Sequence, residues 1–268
     1  MQRTRLNWKN RFFTIWAGQQ ASLFGSSIAQ FGLVWWLTQE TGSATVLATA
    51  SLVALLPQII LGPFAGTFVD RLPRRWLMVW VDCGIAVLAG VLAFLFWADA
   101  IKIWHIYLVM TLRAVGGALH WPAMAAATSL LVPEKHLTRV AGINQTMRGI
   151  LAIVSPPIGA VAVSFLPMYG VMGIDIFTFA FAVGPLLVLA IPEPEQVQAE
   201  RPSYFADLRE GFRYVWDWRG LFLLLCLISL LNFIAQPMAT LLPLLVRAVS
   251  YTHLRAHETR HDLVCRLL

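Results

Sequence analysis

Long apolar runs alternate with short polar breaks along this chain, and the lengths of the runs set the first expectation. A helix crossing a hydrocarbon core of about 30 Å needs about 20 apolar residues. Residues 13–37 form a run of 25 without a charge, and residues 44–69 form a second uncharged run. The run 76–98 carries one charge, Asp82, and 103–131 carries Arg113. The run 140–166 carries Arg148, 171–191 carries Asp175, and 220–246 is again uncharged. Soluble core helices are shorter and show a polar stripe, so the pattern predicts seven transmembrane helices. The first is too long for a signal-peptide core, and no A-x-A site follows it.

Residues 192–219 break the pattern. They open with Pro192-Glu193-Pro194-Glu195, which cannot continue a helix. Phe205, Leu208, Phe212 and Val215 or Trp216 then recur at helical spacing, opposite Asp207, Arg209, Glu210 and Arg213. This predicts an amphipathic connector helix on the membrane surface. The chain thereby divides into a six-helix unit, 1–191, a connector, 192–219, and a further membrane helix, 220–248.

Composition agrees with a lipid-solvated chain. Hydrophobic residues make up 58% and charged residues only 13%, against about 25% charged in an average soluble domain, and the mean hydropathy is +0.68. This excludes a disordered chain, a disulfide-stapled secreted domain and an ordinary soluble enzyme. The net charge of +6 is explained by where the basic residues fall. Thirteen lie on the side of the N-terminus, at Arg3, Arg5, Lys9, Arg11, Arg71, Arg74, Arg75, Lys135, Arg139, Arg201, Arg209, Arg213 and Arg219. Only Lys102 and Arg247 fall on the other side. The positive-inside bias places the N-terminus in the cytoplasm, in a cell (inner or plasma) membrane. The charge therefore reports topology, with the lipid bilayer as partner and no nucleic acid expected.

Spans one to three and four to six echo each other. Span two holds Gly62-Pro63-Phe64-Ala65-Gly66 and span five holds Ser155-Pro156-Pro157-Ile158-Gly159-Ala160, both small-Pro-x-x-Gly. Asp82 sits early in span three, near the cytoplasm, and Asp175 early in span six, near the outside. Inverted three-helix repeats are the architecture of secondary transporters.

An ionisable side chain within the bilayer costs about 2.5–3.5 kcal/mol on insertion scales and needs a partner or a wet cavity. Arg113, in mid-span, is the strongest functional candidate; the alternative is a buried ion pair that only fixes packing. Arg148 could snorkel to the cytoplasmic surface. Asp82 and Asp175 could accept protons or pack helices. Pro156 and Gly159 could shape a bend used in gating, or merely allow close packing. Gln19, Gln30, Asn144, Gln145, Asn232 and Gln236 could line a substrate path or bond between helices. His120 reads as a packing residue. Gly66-Thr67-Phe68-Val69-Asp70-Arg71-Leu72-Pro73-Arg74-Arg75 is a tight turn with one acid among three bases, suited to engaging helix termini or to anchoring at the surface.

The segment 66–75 resembles the G-x-x-x-D-R-x-x-R-R loop of the major facilitator superfamily. Thr111-Leu112-Arg113-Ala114-Val115-Gly116-Gly117 is similar to its fourth-helix arginine motif, with Gly116 where Gln is common. The stretch 155–160 is similar to its fifth-helix antiporter motif, with Ser155 and Ala160 in place of glycines. Residues 13–19, 37–44 and 131–134 look like bacterial macrolide efflux proteins of this superfamily. The resemblance implies a twelve-helix fold and export of macrolide-like drugs or other amphipathic small molecules in exchange for protons. It implies that Asp70, Arg71 and Arg75 gate the inner face and that Arg113 assists proton coupling. The fold expected is therefore an all-α membrane protein. It comprises the N-terminal six-helix half of a major facilitator fold with an inverted 3+3 repeat, plus a seventh helix, the remaining half lying beyond the chain. A fragment of that kind is expected to be inactive by itself.

Residues 249–268 read differently. Ser250-Tyr251-Thr252-His253-Leu254-Arg255-Ala256-His257-Glu258-Thr259-Arg260 resembles translated cloning adapter, so 249–268 is expected to be foreign. His253, His257, His261 and Cys265 recur every four residues, but on one helix they climb about 18 Å, too far for one metal. Neither a metal nor a cofactor is expected, and no nucleophile–base set points to an enzyme. A siderophore or metabolite exporter of the same superfamily and a non-transporting membrane scaffold are the alternatives.

Overall fold

The computed structural model describes residues 7–191, 204–235 and 245, apart from the side chains of residues 67, 70, 71, 204–208 and 212. The described residues contain eight long helices and no strand. These are α1 (Trp8–Thr41), α2 (Ala44–Arg71), α3 (Arg74–Trp97), α4 (Ile103–Leu131), α5 (Glu134–Phe165), α6 (Met168–Val188), α7 (Tyr204–Asp217) and α8 (Arg219–Ala235). The chain divides into two compact units, Met1–Leu33 with Val53–Tyr214, and Val34–Leu52 with Val215–Leu268. The features below belong to the first unless stated.

Proline sets the breaks between helices. Pro73, Pro133 and Pro167 each stand at the N-cap of the helix that follows. The ring of a proline pushes the preceding residue out of the helical region. Accordingly Val132 (φ −104°, ψ 128°) and Leu166 (φ −116°, ψ 141°) are extended and end α4 and α5. The proline's own fixed φ then starts the next helix. Pro57, Pro63, Pro122, Pro156, Pro157 and Pro185 lie inside helices that continue through them.

Four of the helices, α2, α3, α5 and α6, are long and apolar enough to cross a membrane by themselves, and the α7–α8 pair would make a fifth. The sequence pattern predicts spans at α1 and α4 as well. Both exceed the length of a span, at 34 and 29 residues, but they are more polar. The residues responsible include Gln19, Gln20, Ser26, Arg113 and His120, which line cavities inside the unit. The polarity that weakens these two spans belongs to the site.

The six helices alternate in direction, because the starts of α1, α3 and α5 meet the ends of α2, α4 and α6 in one apolar cluster. Phe12 and Ile15, Val69, Met78, Leu131, Val140 and Leu186 are buried together there. The helix α3 packs along both α4 and α6. Against α6, α1 presents Gly18, Gly25 and Gly32, spaced by seven. A Cβ on Gly18 would fall 2.0 Å from the Phe181 carbonyl oxygen, on Gly25 2.0 Å from Thr178 Oγ1, and on Gly32 3.0 Å from Val171 Cγ1. This stripe lets two backbones approach where lipid supplies no hydrophobic drive to bring them together. The opposite face of α3 exposes Trp80, Val87, Phe94 and Trp97, as a lipid-facing surface requires. In the second unit, α8 is exposed along its length except at the half-buried Leu221.

The expected foreign segment 249–268 and the first part of the connector, 192–203, lie outside the described residues, as do most side chains on the predicted apolar face of α7.

The Gly18 contact is with backbone and cannot shift aside. Gly18→Ala should destabilise the detergent-solubilised chain by about 1–3 kcal/mol, read as a lowered melting temperature. Gly84→Ala, with open space around it, should leave the melting temperature unchanged or raise it, since alanine is the better helix former.

Candidate functional site

Two aspartates are buried in the unit, and each is gripped by the same pair of helices. On α1, Gln19 and Ser26 stand seven residues apart; on α4, Arg113 and His120 do the same. Seven residues make nearly two turns, so each pair shares a helix face, separated by about 10 Å along the axis. Because α1 and α4 run in opposite directions, Gln19 lies level with His120 and Ser26 level with Arg113.

Asp82 of α3 reaches the first level. Its Oδ2 accepts a hydrogen bond from Gln19 Nε2 at 3.0 Å, and its Oδ1 lies 3.2 Å from His120 Nε2. That nitrogen is not aligned to donate a hydrogen bond. Asp175 of α6 reaches the second level. Its Oδ1 accepts from Ser26 Oγ at 2.7 Å, and its Oδ2 forms a hydrogen-bonded ion pair with Arg113 Nη1. Asp175 is 2% exposed and Asp82 7%. The two levels differ in chemistry. Asp175 is matched by an obligatory cation, whereas Asp82 is met by an amide and an imidazole.

Three cavities adjoin this framework. One of about 270 Å³ joins both levels and is lined by Gln19, Ser26, Gln58, Asp82, His120 and Asp175, among others. A second of about 280 Å³ lies between α1, α4 and α5, bordered by Gln19, Gln20, His120, Asn144 and Arg148. A third of about 570 Å³ is the most open, bordered by Gln30, Arg113, Arg148, Ser155 and Pro156. Trp121 and Leu23 border all three. The Arg148 guanidinium carbon lies 3.3 Å from the centre of the Trp121 ring, a cation–π stack. Trp16 Nε1 donates to Asn144 Oδ1 at 2.6 Å, which ties α1 to α5.

The sequence candidates fall into several places. Arg113, Asp175, Asp82 and Gln19 form the two-level network, with Gln30 and Arg148 on its flank. Gly159 is buried against the Phe31 ring of α1, where a Cβ would fall 2.7 Å from Phe31 Cδ1. Pro156 sits three residues earlier in an uninterrupted α5 and borders the open cavity. Arg75 lies apart from the network, at the C-terminus of α6. Its Nε and Nη2 donate to the carbonyls of Leu186 and Leu187, and Arg11 Nη2 donates to that of Ala190. The last carbonyls of a helix lack internal partners and carry partial negative charge; Arg75 satisfies two of them, while Ala190 lies just beyond the end of α6. The side chains of Asp70 and Arg71, and the whole of Gln236, lie outside the described residues. Asn232, in the second unit, is exposed and donates to the Ile228 carbonyl of its own helix at 2.9 Å.

Sequence reasoning passes over Trp121 and Ser26, reads Ser155 only as a motif position, and gives His120 only a packing role. The seven-residue spacing of polar groups on α1 was the signal available for Ser26. Trp121 lies mid-chain, away from the tryptophans that mark membrane interfaces, and that displacement marks it out.

Removing the Asp175 charge would strand the Arg113 cation in a buried site, which costs about 3–5 kcal/mol. Asp82→Asn strands no obligatory charge and should cost about 1–3 kcal/mol. Thermal unfolding should therefore show Asp175→Asn melting well below Asp82→Asn.

The Major Facilitator Superfamily matches residues 15–256. The chain is 37% identical over 240 residues to macrolide efflux protein A of Streptococcus pyogenes, covering 89% of this chain and 59% of that protein. It is 35% identical over 205 residues to macrolide efflux protein A of Enterococcus faecalis, covering 76% of this chain and 63% of that protein. It is 27% identical over 214 residues to the multidrug efflux pump Tap of Mycobacterium bovis, covering 74% of this chain and 49% of that protein. The chain thus spans about three fifths of the length of the curated macrolide relatives it matches. With this match over most of its length, these relatives and its long apolar helices, the chain belongs to the major facilitator superfamily, as a multi-pass membrane protein.

Proposed function

We propose that this chain supplies the N-terminal half of a proton-coupled exporter that moves amphipathic small molecules, macrolide-like drugs among them, out across the cell membrane. The observation that carries the reading is the Arg113–Asp175 ion pair, buried beside a cavity that faces α1, α4 and α5, in a chain similar to proteins named for macrolide efflux. A buried ion pair is a poor way to gain stability, and its position inside a membrane protein favours a role in coupling.

In this reading a proton reaches Asp175 and neutralises its carboxylate. The Arg113 charge is then unmatched, and the levels on α1 and α4 are released from α6. Asp82, with Gln19 and His120, forms the second level of the same path, joined to the first by the cavity between them. Gln19, Gln30, Asn232 and Gln236 are substrate-path residues, and Pro156 with Gly159 forms the bend about which α5 moves. Asp70, Arg71 and Arg75 close the inner face, with the N-terminus in the cytoplasm. Arg75 does so by holding the end of α6. Alternating access requires two halves rocking about a central site, so the 268-residue chain is inactive alone.

Cells expressing only this chain should show unchanged erythromycin accumulation. In the complete exporter, Arg113→Ala and Asp70→Asn should each lower erythromycin efflux about ten-fold or more, a loss of at least about 1.4 kcal/mol in the rate-limiting step. Efflux from the chain alone would overturn the half-transporter reading, and indifference to both substitutions would favour a scaffold. A resistance profile over macrolides and iron chelators separates drug export from siderophore export.

A further inference from the structure

We infer that the open cavity bordered by α1, α4 and α5 binds the anionic head of an amphipathic ligand, with Arg148 as the charge partner. The inference goes beyond the proposed export function: a macrolide carries a basic amino sugar, so the ligand named here is a separate, anionic amphipath.

Charge distribution around the three cavities carries the argument. Both buried aspartates face the cavity of about 270 Å³, which α3 and α6 border together with α1, α2 and α4. The open cavity of about 570 Å³ has two ionisable residues in its lining, Arg113 and Arg148, and no acid. Its volume suits a small ligand. The Arg113 charge is already matched by Asp175. Arg148 has no carboxylate partner among the described residues, and its contact is the face of Trp121. A guanidinium stacked on a ring keeps its N–H donors in plane, where a carboxylate or phosphate meets them two at a time. The stack also holds the long side chain in one place, which lowers the entropy cost of binding.

A second observation points into the same space. Ser155, 3% exposed, lines this cavity, and its hydroxyl has no hydrogen-bond partner. A buried hydroxyl without a partner is costly, and a ligand acceptor would satisfy it. Ser155 follows Arg148 by seven residues on α5, so the two project from nearly the same face about 10 Å apart along the axis. Leu23, Leu151 and Ala152 also line the cavity. The ligand that fits has an anionic head at Arg148, an apolar body, and a hydrogen-bond acceptor further along at Ser155. A fatty-acid-like carboxylate and an anionic phospholipid share this chemistry.

The test uses the chain in phosphatidylcholine nanodiscs, with dansylaminoundecanoic acid and its methyl ester as a matched pair of fluorescent probes. The acid should bind about ten-fold more tightly than the ester, measured over empty nanodiscs. Arg148→Gln should abolish that preference, and Ser155→Ala should weaken acid and ester alike. Equal binding of acid and ester to the unaltered chain, or an acid preference that survives Arg148→Gln, overturns the inference. Should Arg148→Gln fail to fold, the acid-to-ester ratio of the unaltered chain decides alone. Displacement of the probe by phosphatidylglycerol nanodiscs assigns the site to a lipid headgroup; retention of the probe assigns it to a soluble amphipath. No transport is read in this assay, so a failure of anion binding is distinguishable from a failure of the export reading.

Discussion

A charge in hydrocarbon must be met by another charge, and that constraint organises this molecule. Arg113 lies in the middle of a helix flanked by apolar turns, and Asp175 on α6 is its counter-charge. Bringing them together requires α4 and α6 to come within reach of the long Arg113 side chain at this level, and Ser26 adds α1 to the same carboxylate. The second level repeats the arrangement with α3 in place of α6, since Asp82 meets Gln19 on α1 and His120 on α4. Two acids, one from α3 and one from α6, thus converge on the same two helices. The glycine stripe of α1 serves this geometry, because Ser26 reaches Asp175 from beside Gly25, which lies against Thr178.

The arrangement also sorts charge across the unit. Acids gather on the side of α3 and α6, while the open side toward α5 carries Arg113, Arg148 and uncharged polar groups. The cavity that holds both aspartates and the one that holds Arg148 share Leu23, Ser26 and Trp121 yet differ in charge. Arg75 acts elsewhere, at the last carbonyls of α6, and Arg11 bonds the chain just beyond them, so that both hold the end of the helix that carries Asp175.

Much of the fold is legible in the sequence because its causes are local. Uninterrupted apolar runs, and prolines before α3, α5 and α6, determine where helices lie and where they stop. Arg113, Asp175, Asp82 and Arg148 stand out because any charge in such a run is costly. What pairs with what is less legible. Arg113 and Asp175 are 62 residues apart, and either aspartate could have been its partner on composition alone. His120 looked like an isolated core histidine because its neighbour Asp82 comes from another helix. Ser155 looked like a missing glycine in a motif, and only the cavity beside it gives the hydroxyl a meaning. The polarity of α1 and α4, which lowers their standing as membrane spans, becomes intelligible once the same residues are seen facing inward.

The central claim is that Arg113 and Asp175 act as one unit, each needed only because of the other. A double-mutant cycle with Arg113→Met and Asp175→Leu, read by reversible unfolding of the purified chain, measures that coupling directly. The account predicts that each single substitution is strongly destabilising, while the double variant returns to within about 1 kcal/mol of the parent, because replacing both charges by apolar side chains strands neither. Additive losses, with the double variant as unstable as the sum of the singles, would show that the two charges are solvated independently and would contradict it.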